Sequence, residues 1–264
     1  MALLDSIDGC ALIGMVHLLP LPGSPSWGGD VAAVRARARA DAETLLKGGC
    51  DAVIVENMGD VPYLNGSVGP DTLACMTLCV SDVVSLGAAV GVQILAGANG
   101  QALAVAGVTG AAFIRAEGFA YGHLADEGWM QASAGPLLRQ RARSGLAHVE
   151  IWADIQKKHA SHAVSADLTL EALASGHRFC GADVLIVTGS ETGQPTPVSA
   201  VAQAARAGLP VAVGSGVTPT NAALLAPEAQ ALIVGSSLKR DGDWRRPVDL
   251  ARVRALRGAL DRVG

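Results

Sequence analysis

The sequence predicts a closed (β/α)8 barrel, and three observations point there. Short Val/Ile/Ala-rich runs recur without the polar alternation of a half-exposed sheet, helix-like segments lie between them, and the alternation repeats eight times. Eight such units over about 250 residues match a barrel of parallel strands ringed by helices. An open doubly wound sheet is the competing arrangement, but its edge strands would usually be shorter or more polar. No Pro/Ser linker, charge block or low-complexity tract divides the chain, so residues 1–264 read as one domain.

The elements follow in order. The first strand, ALIGMVH, ends on His17 and leaves through a loop stiffened by Pro20, Pro22 and Pro25. An amphipathic segment, VAAVRARARADAETLLKGG, closes on Gly48 and Gly49 as a helix terminus should. The second strand, DAVIVEN, reaches Asn57. The segment GPDTLACMTLCVSDVVSLG then starts with Pro70 and Asp71 and stops at Gly87, and its Cys75 and Cys79, one turn apart, read as buried thiols. Strands three to five are AVGVQIL to Leu95, AAFIRAE to Glu117 and HVEIWAD to Asp154. After SADLTLEALASGHRFCG comes DVLIVT to Thr188, followed by PVSAVAQAARAG. PVAVG to Gly214 and ALIVG to Gly235 complete the count, and DLARVRALRGALDRVG ends the chain.

Composition narrows the function. A net charge of −4, from 20 basic and 24 acidic residues, gives no general attraction to nucleic acid or to an anionic membrane. Apolar runs are interrupted before the roughly 18 residues of a bilayer span, and MALLDSIDGC lacks a basic signal-peptide region, so a soluble cytoplasmic protein is expected. Five cysteines without a C-x-x-C pair argue against a disulfide framework or a zinc ribbon. The pattern is compatible with a homo-oligomer.

Ionisable residues are rare inside the strands and gather where the strands stop, which in a barrel is one rim. Read around it, the polar and charged residues are His17, Glu56, Asn57, Arg115, Glu117 and Asp154, with Lys157, Lys158 and His159 just beyond, and then Thr188 and Thr192. Ordinary loop polarity accounts for Lys157, but less well for Glu56, Arg115 and Asp154, because a charge within an apolar strand is costly unless paired. A histidine bonded to backbone is the competing reading of His17.

Two glycine-rich turns follow the last strands: GSGVTPTN, with Gly214, Ser215 and Gly216, and VGSSLKRDG, with Gly235, Ser236, Ser237 and Lys239. Glycine lets backbone amides turn toward an anion, serine adds a donor, and barrels often hold phosphate between these loops. TGSETGQPTP, with Gly189 and Gly193, could wrap the same ligand or merely connect strand to helix. Neither a dinucleotide fingerprint, a P-loop nor an H-E-x-x-H spacing occurs, so no cofactor and no metal is assigned.

Seven motifs in order, IGMVHLLPLPGSP, DAVIVENMGDVPY, VGP, ADIQKKHA, LIVTGSETGQPT, GSGVTPTN and IVGSSLKRDG, resemble the BtpA/SgcQ family over nearly the whole chain. The resemblance implies a barrel of the ribulose-phosphate-binding type. Its name comes from a member implicated in photosystem I biogenesis, and another member is encoded with a sugar-transport system. Matching positions are His17, Glu56, Asn57, Asp154, Lys158, His159, Thr188, Gly189, Gly193, Gly214, Ser215, Gly216, Gly235, Ser237 and Lys239. The chain departs from the family pattern at Gln93, Gly97 and Ala98, at Glu117, and at Gln156 and Lys157. A retained phosphate half beside an altered half implies a changed substrate or reaction, or a site that has lost catalysis.

The expected function is an isomerase or lyase acting on a phosphorylated sugar-like or nucleotide-like molecule. Glu56 or Asp154 would move a proton, His17 or His159 would shuttle it, and Lys158 would stabilise an oxyanion or, with a depressed pKa, form a Schiff base. Arg115 and Glu117 join this catalytic set, and Asn57, Gln93, Gln156, Thr188, Thr192 and Lys239 would contact substrate. The alternative is a non-catalytic assembly factor of the photosystem I biogenesis type.

Overall fold

The computed structural model describes residues 2–189 and 196–263. Eight parallel strands close into a barrel: β1 Ala11–His17, β2 Ala52–Glu56, β3 Ala89–Gln93, β4 Phe113–Ala116, β5 Glu150–Asp154, β6 Val184–Val187, β7 Val211–Val213 and β8 Ala231–Val234. Each pairs with its sequence neighbours, and β8 closes on β1 through Ala11 opposite Ala231 and Gly14 opposite Val234. The expected (β/α)8 fold is the observed one.

Helices α1 Val31–Lys47, α2 Pro70–Val84, α3 Asn99–Thr109, α4 Ala134–Arg143, α5 Leu170–Phe179, α6 Val198–Ala205, α7 Ala222–Leu225 and α8 Leu250–Leu260 surround the strands. Their ends follow from the sequence. Asp30 accepts from the Ala33 amide to cap α1, Thr169 caps α5 and Asp249 caps α8, while Pro70 opens α2, where an amide would have no partner. Cys75 and Cys79 are buried on α2.

The strands are buried on both faces, which is why they lack alternation in the sequence. One face packs on the helices. The other fills the barrel with Ile13, Met15, Ile54, Ile186 and Ile233 around a stacked Phe113–Trp152 pair whose centroids are 4.3 Å apart. Gly91 of β3 faces that pair because a Cβ there would lie 2.3 Å from Phe113 Cε2. At the N-terminal end of the barrel, Glu150 accepts from the Leu3 amide at 2.7 Å and from Trp152 Nε1 at 2.8 Å, and Leu3, Leu4 and Ile7 pack against the interior cluster.

Between β4 and α4 the chain adds an antiparallel hairpin, His123–Ala125 with Gly128–Met130, joined by Ala160–Ser161 from the loop after β5. Among the described residues, no helix is long and apolar enough to cross a membrane.

Candidate functional site

Strand parity builds the site. Ile13, Met15, Ile54, Phe113, Trp152 and Ile186 point inward, so two residues further on His17, Glu56, Arg115, Asp154 and Thr188 point inward too. Their side chains meet at the C-terminal mouth because the register aligns the strand ends, with His17 opposite Glu56 and Glu56 opposite Gln93. The mouth holds a cavity of about 780 Å³.

The expected residues divide into two groups. His17, Glu56, Gln93, Arg115, Glu117, Asp154, Lys158, His159 and Thr188 line the cavity, as do Gly214, Ser215, Gly216, Gly235, Ser236 and Ser237. Thr192 and Gly193 lie outside the described residues.

Asn57, Gln156, Gly189 and Lys239 line no part of the cavity. Asn57, past the end of β2, turns the other way: its amide donates to Asp60 at 2.9 Å, and its oxygen accepts from the Leu95 amide at 2.7 Å, fastening the loops after β2 and β3. Gln156 contributes its backbone carbonyl to the Thr188 hydroxyl at 2.9 Å. Lys239 is fully buried on Asp41 of α1 at 3.2 Å, and Asp41 also accepts from Arg37 and from the Val248 amide. It braces the last loop instead of contacting the cavity. Gly189 sits at the end of β6, and its amide donates to Ser215 Oγ at 2.9 Å.

Burial sets the electrostatics. Arg115 grips Asp154 with Nε at 2.8 Å from Oδ2 and Nη2 at 2.9 Å from Oδ1. Burial works against the guanidinium charge, and the carboxylates of Asp154, Glu56 and Glu117 together more than offset it. Glu56 is raised to about 7 by burial, which Arg115 only partly opposes, and Glu117 is raised to about 7 by burial against the pull of Lys157. His17 is held well below its usual range by burial and then by Lys239, so its ring is neutral. Its Nε2 lies 3.4 Å from Glu56 Oε2, and its Nδ1 has no hydrogen-bond partner among the described residues. Lys158 is lowered to about 8 by burial and then by Arg115. Gln93 Oε1 and Glu117 Oε2 are also buried without hydrogen-bond partners among the described residues.

A carboxyl near 7 and an amine near 8 can each give and take a proton at neutral pH. The glycine turns adjoin them. Gly216 takes a left-handed φ of +68°. At Gly235 a Cβ would sit 3.0 Å from His17 Cε1, and at Gly214 one would sit 2.6 Å from Ile186 and 2.8 Å from Thr188. The Ser237 hydroxyl donates to the Val217 carbonyl at 2.7 Å, so its proton is engaged; Ser215 Oγ accepts from the Gly189 amide, and its own proton has no acceptor among the described residues. Among the described residues, no group of three His, Cys, Asp or Glu is arranged to hold a metal ion.

Sequence reasoning missed the contributions of the hairpin and of the loop after β8. Glu127 reaches the cavity and pairs with Lys157, whose Nζ also lies 3.8 Å from Glu117. The Asp126-Glu127-Gly128 turn between two short alternating runs was the available signal. Trp244 meets His17 edge-on at 6.4 Å between centroids and carries Arg245 over its face.

Solved structures with this architecture include KGPDC from Streptococcus mutans, with a TM-score of 0.63 and 13% identity over 97% of this chain and 99% of that one. Phosphoribosyl anthranilate isomerase from Thermus thermophilus gives 0.59 and 13% over 96% of this chain and all of that one. At such identities the likeness speaks for the fold. In sequence, an uncharacterised mitochondrial protein of Caenorhabditis elegans is 41% identical, covering 92% of this chain and 90% of the relative. The photosystem I biogenesis protein BtpA of Synechocystis is 38% identical, covering 94% of this chain and 87% of the relative. The BtpA family model matches residues 9–262. With that match and these relatives, the chain belongs to the BtpA family.

Proposed function

We propose that the mouth binds a small phosphorylated molecule, sugar-like or nucleotide-like, and moves a proton on it, as an isomerase or lyase does. One observation carries this reading: the glycine turns after β7 and β8 and the buried groups Glu56, His17 and Lys158 open into one cavity. Phosphate held by the turn amides and the Ser215 hydroxyl would fix the substrate, spending remote binding energy on orientation. Glu56 then takes a proton from carbon, neutral His17 stands beside it to pass the proton on, and the Lys158 amine faces the substrate carbonyl. The solved barrels of this architecture include the phosphoribosyl anthranilate isomerase and a 3-hexulose-6-phosphate synthase, whose names carry phosphorylated sugars.

A thermal-shift screen of phosphorylated sugars, nucleotides and their unphosphorylated counterparts tests the reading. Stabilisation should require the phosphate and disappear in Ser236→Asp, which puts a negative charge on a cavity-lining turn. Equal stabilisation by unphosphorylated compounds contradicts it.

A non-catalytic assembly role is the second reading. It is favoured by Leu124 and Trp129, paired across the hairpin and exposed at 53% and 50%, and by the name of the Synechocystis relative. Replacing both with serine would then abolish complex formation while leaving ligand stabilisation intact.

A further inference from the structure

The chain has four lysines, and three have ordinary situations. Lys47 is exposed in the last turn of α1, where the helix dipole favours a cation. Lys157 is engaged by Glu127 and Glu117, and Lys239 by Asp41. Lys158 differs. It is partly buried, it lines the cavity, and among the described residues it has no hydrogen bond and no carboxylate within ion-pair distance. The carboxylate best placed to neutralise it, Asp154, is committed to Arg115 by both oxygens, and Arg115 in turn repels a charged Lys158. A lysine taken from water and denied a close counter-ion is stabilised as the free amine, the form that attacks a carbonyl.

We propose that Lys158 captures the carbonyl carbon of its substrate as a covalent imine, which rests on reading the mouth as a site for a phosphorylated carbonyl compound. The Nζ lone pair forms a C–N bond while the C=O π pair moves onto oxygen, which takes a proton from the Glu56 carboxyl. A second proton, released from nitrogen and returned through Glu56, allows the hydroxyl to leave as water, and the C=N bond forms. Free amine, carbonyl and protonated Glu56 thus give iminium, water and the Glu56 carboxylate, with no oxidant or reductant. The iminium draws electrons from the neighbouring carbon, and Glu56, again a carboxylate, is placed to remove that carbon's proton. Lys157 cannot substitute while its amine is held by two glutamates.

Two measurements on the intact protein test this and separate it from the phosphate reading. Formaldehyde with cyanoborohydride at pH 7, followed by peptide mass mapping, reports each lysine's capacity to form an imine. Lys158 should be methylated at least roughly tenfold faster than Lys47, given the larger share of free amine. Equal or slower labelling of Lys158 overturns the proposal. Borohydride trapping is then run with glycolaldehyde phosphate and with glycolaldehyde. An adduct on Lys158 that forms at lower concentration with the phosphorylated aldehyde supports both readings. Equal adduct from the two keeps the imine and removes the phosphate anchor, whereas adducts confined to other amines overturn the imine. Lys158→Met should abolish the adduct with unchanged circular dichroism, and if that variant fails to fold, labelling of the native protein still decides.

Discussion

Arg115 and Asp154 form a two-pronged ion pair between adjacent strands, with side chains only 11% and 3% exposed. It cancels two charges that the mouth could not otherwise hold, and it leaves Glu56 and Lys158 as groups that change protonation near neutrality. Breaking it from one side strands the other charge. Arg115→Met should therefore lose roughly 3–5 kcal/mol in urea unfolding, whereas Arg115→Met with Asp154→Leu should lose less than Arg115→Met alone. A double variant as unstable as the single one would show that the pair does not carry this cost.

The buried glutamates give stability a distinctive pH dependence. Burial raises Glu56 and Glu117 to about 7 from 4.5, so the folded protein keeps protons that the unfolded chain releases. The contribution of these groups is full below pH 4.5 and falls as pH rises through 7. Glu56→Gln, which cannot ionise, should match the wild type near pH 4.5 and exceed it by up to about 3 kcal/mol at about pH 8. Thermal unfolding at the two pH values checks this, and a Glu56→Gln variant that is less stable at the higher pH contradicts it.

Gly235→Ala probes the contact between the last turn and His17. The new Cβ would press on His17 Cε1 at 3.0 Å and Nε2 at 3.2 Å, forcing the ring away from Glu56. The expected outcome is a stability cost of about 1 kcal/mol with a larger relative loss in affinity for D-ribose 5-phosphate by calorimetric titration. Unchanged affinity would separate this turn from the ligand.

Lys239→Met should behave in the opposite way. Lys239 is buried on Asp41 behind the cavity wall, so its loss should lower the unfolding temperature while leaving ligand affinity within twofold. An affinity loss without destabilisation would return it to the cavity.

These cases show which features could be read from sequence and which could not. The barrel was legible because both strand faces are buried, which leaves apolar runs with polar ends, and strand parity then brings His17, Glu56, Arg115 and Asp154 together. Asn57 and Lys239 were harder. Each lies beyond its strand, where direction depends on the turn, and Asn57 turns to Asp60 while Lys239 turns to Asp41. Glu127 and Trp244 arrive on long connections whose path over the mouth is set by tertiary packing, so no local pattern places them beside Lys157 and His17.

The most direct test of one shared mouth is amide chemical-shift mapping of the isotope-labelled protein titrated with D-ribose 5-phosphate. Saturable shifts should appear together at Gly216, Ser236 and Ser237 on one side and at Glu56 and Lys158 on the other, and free ribose should produce neither set. Shifts confined to one group, or appearing away from both, would contradict it.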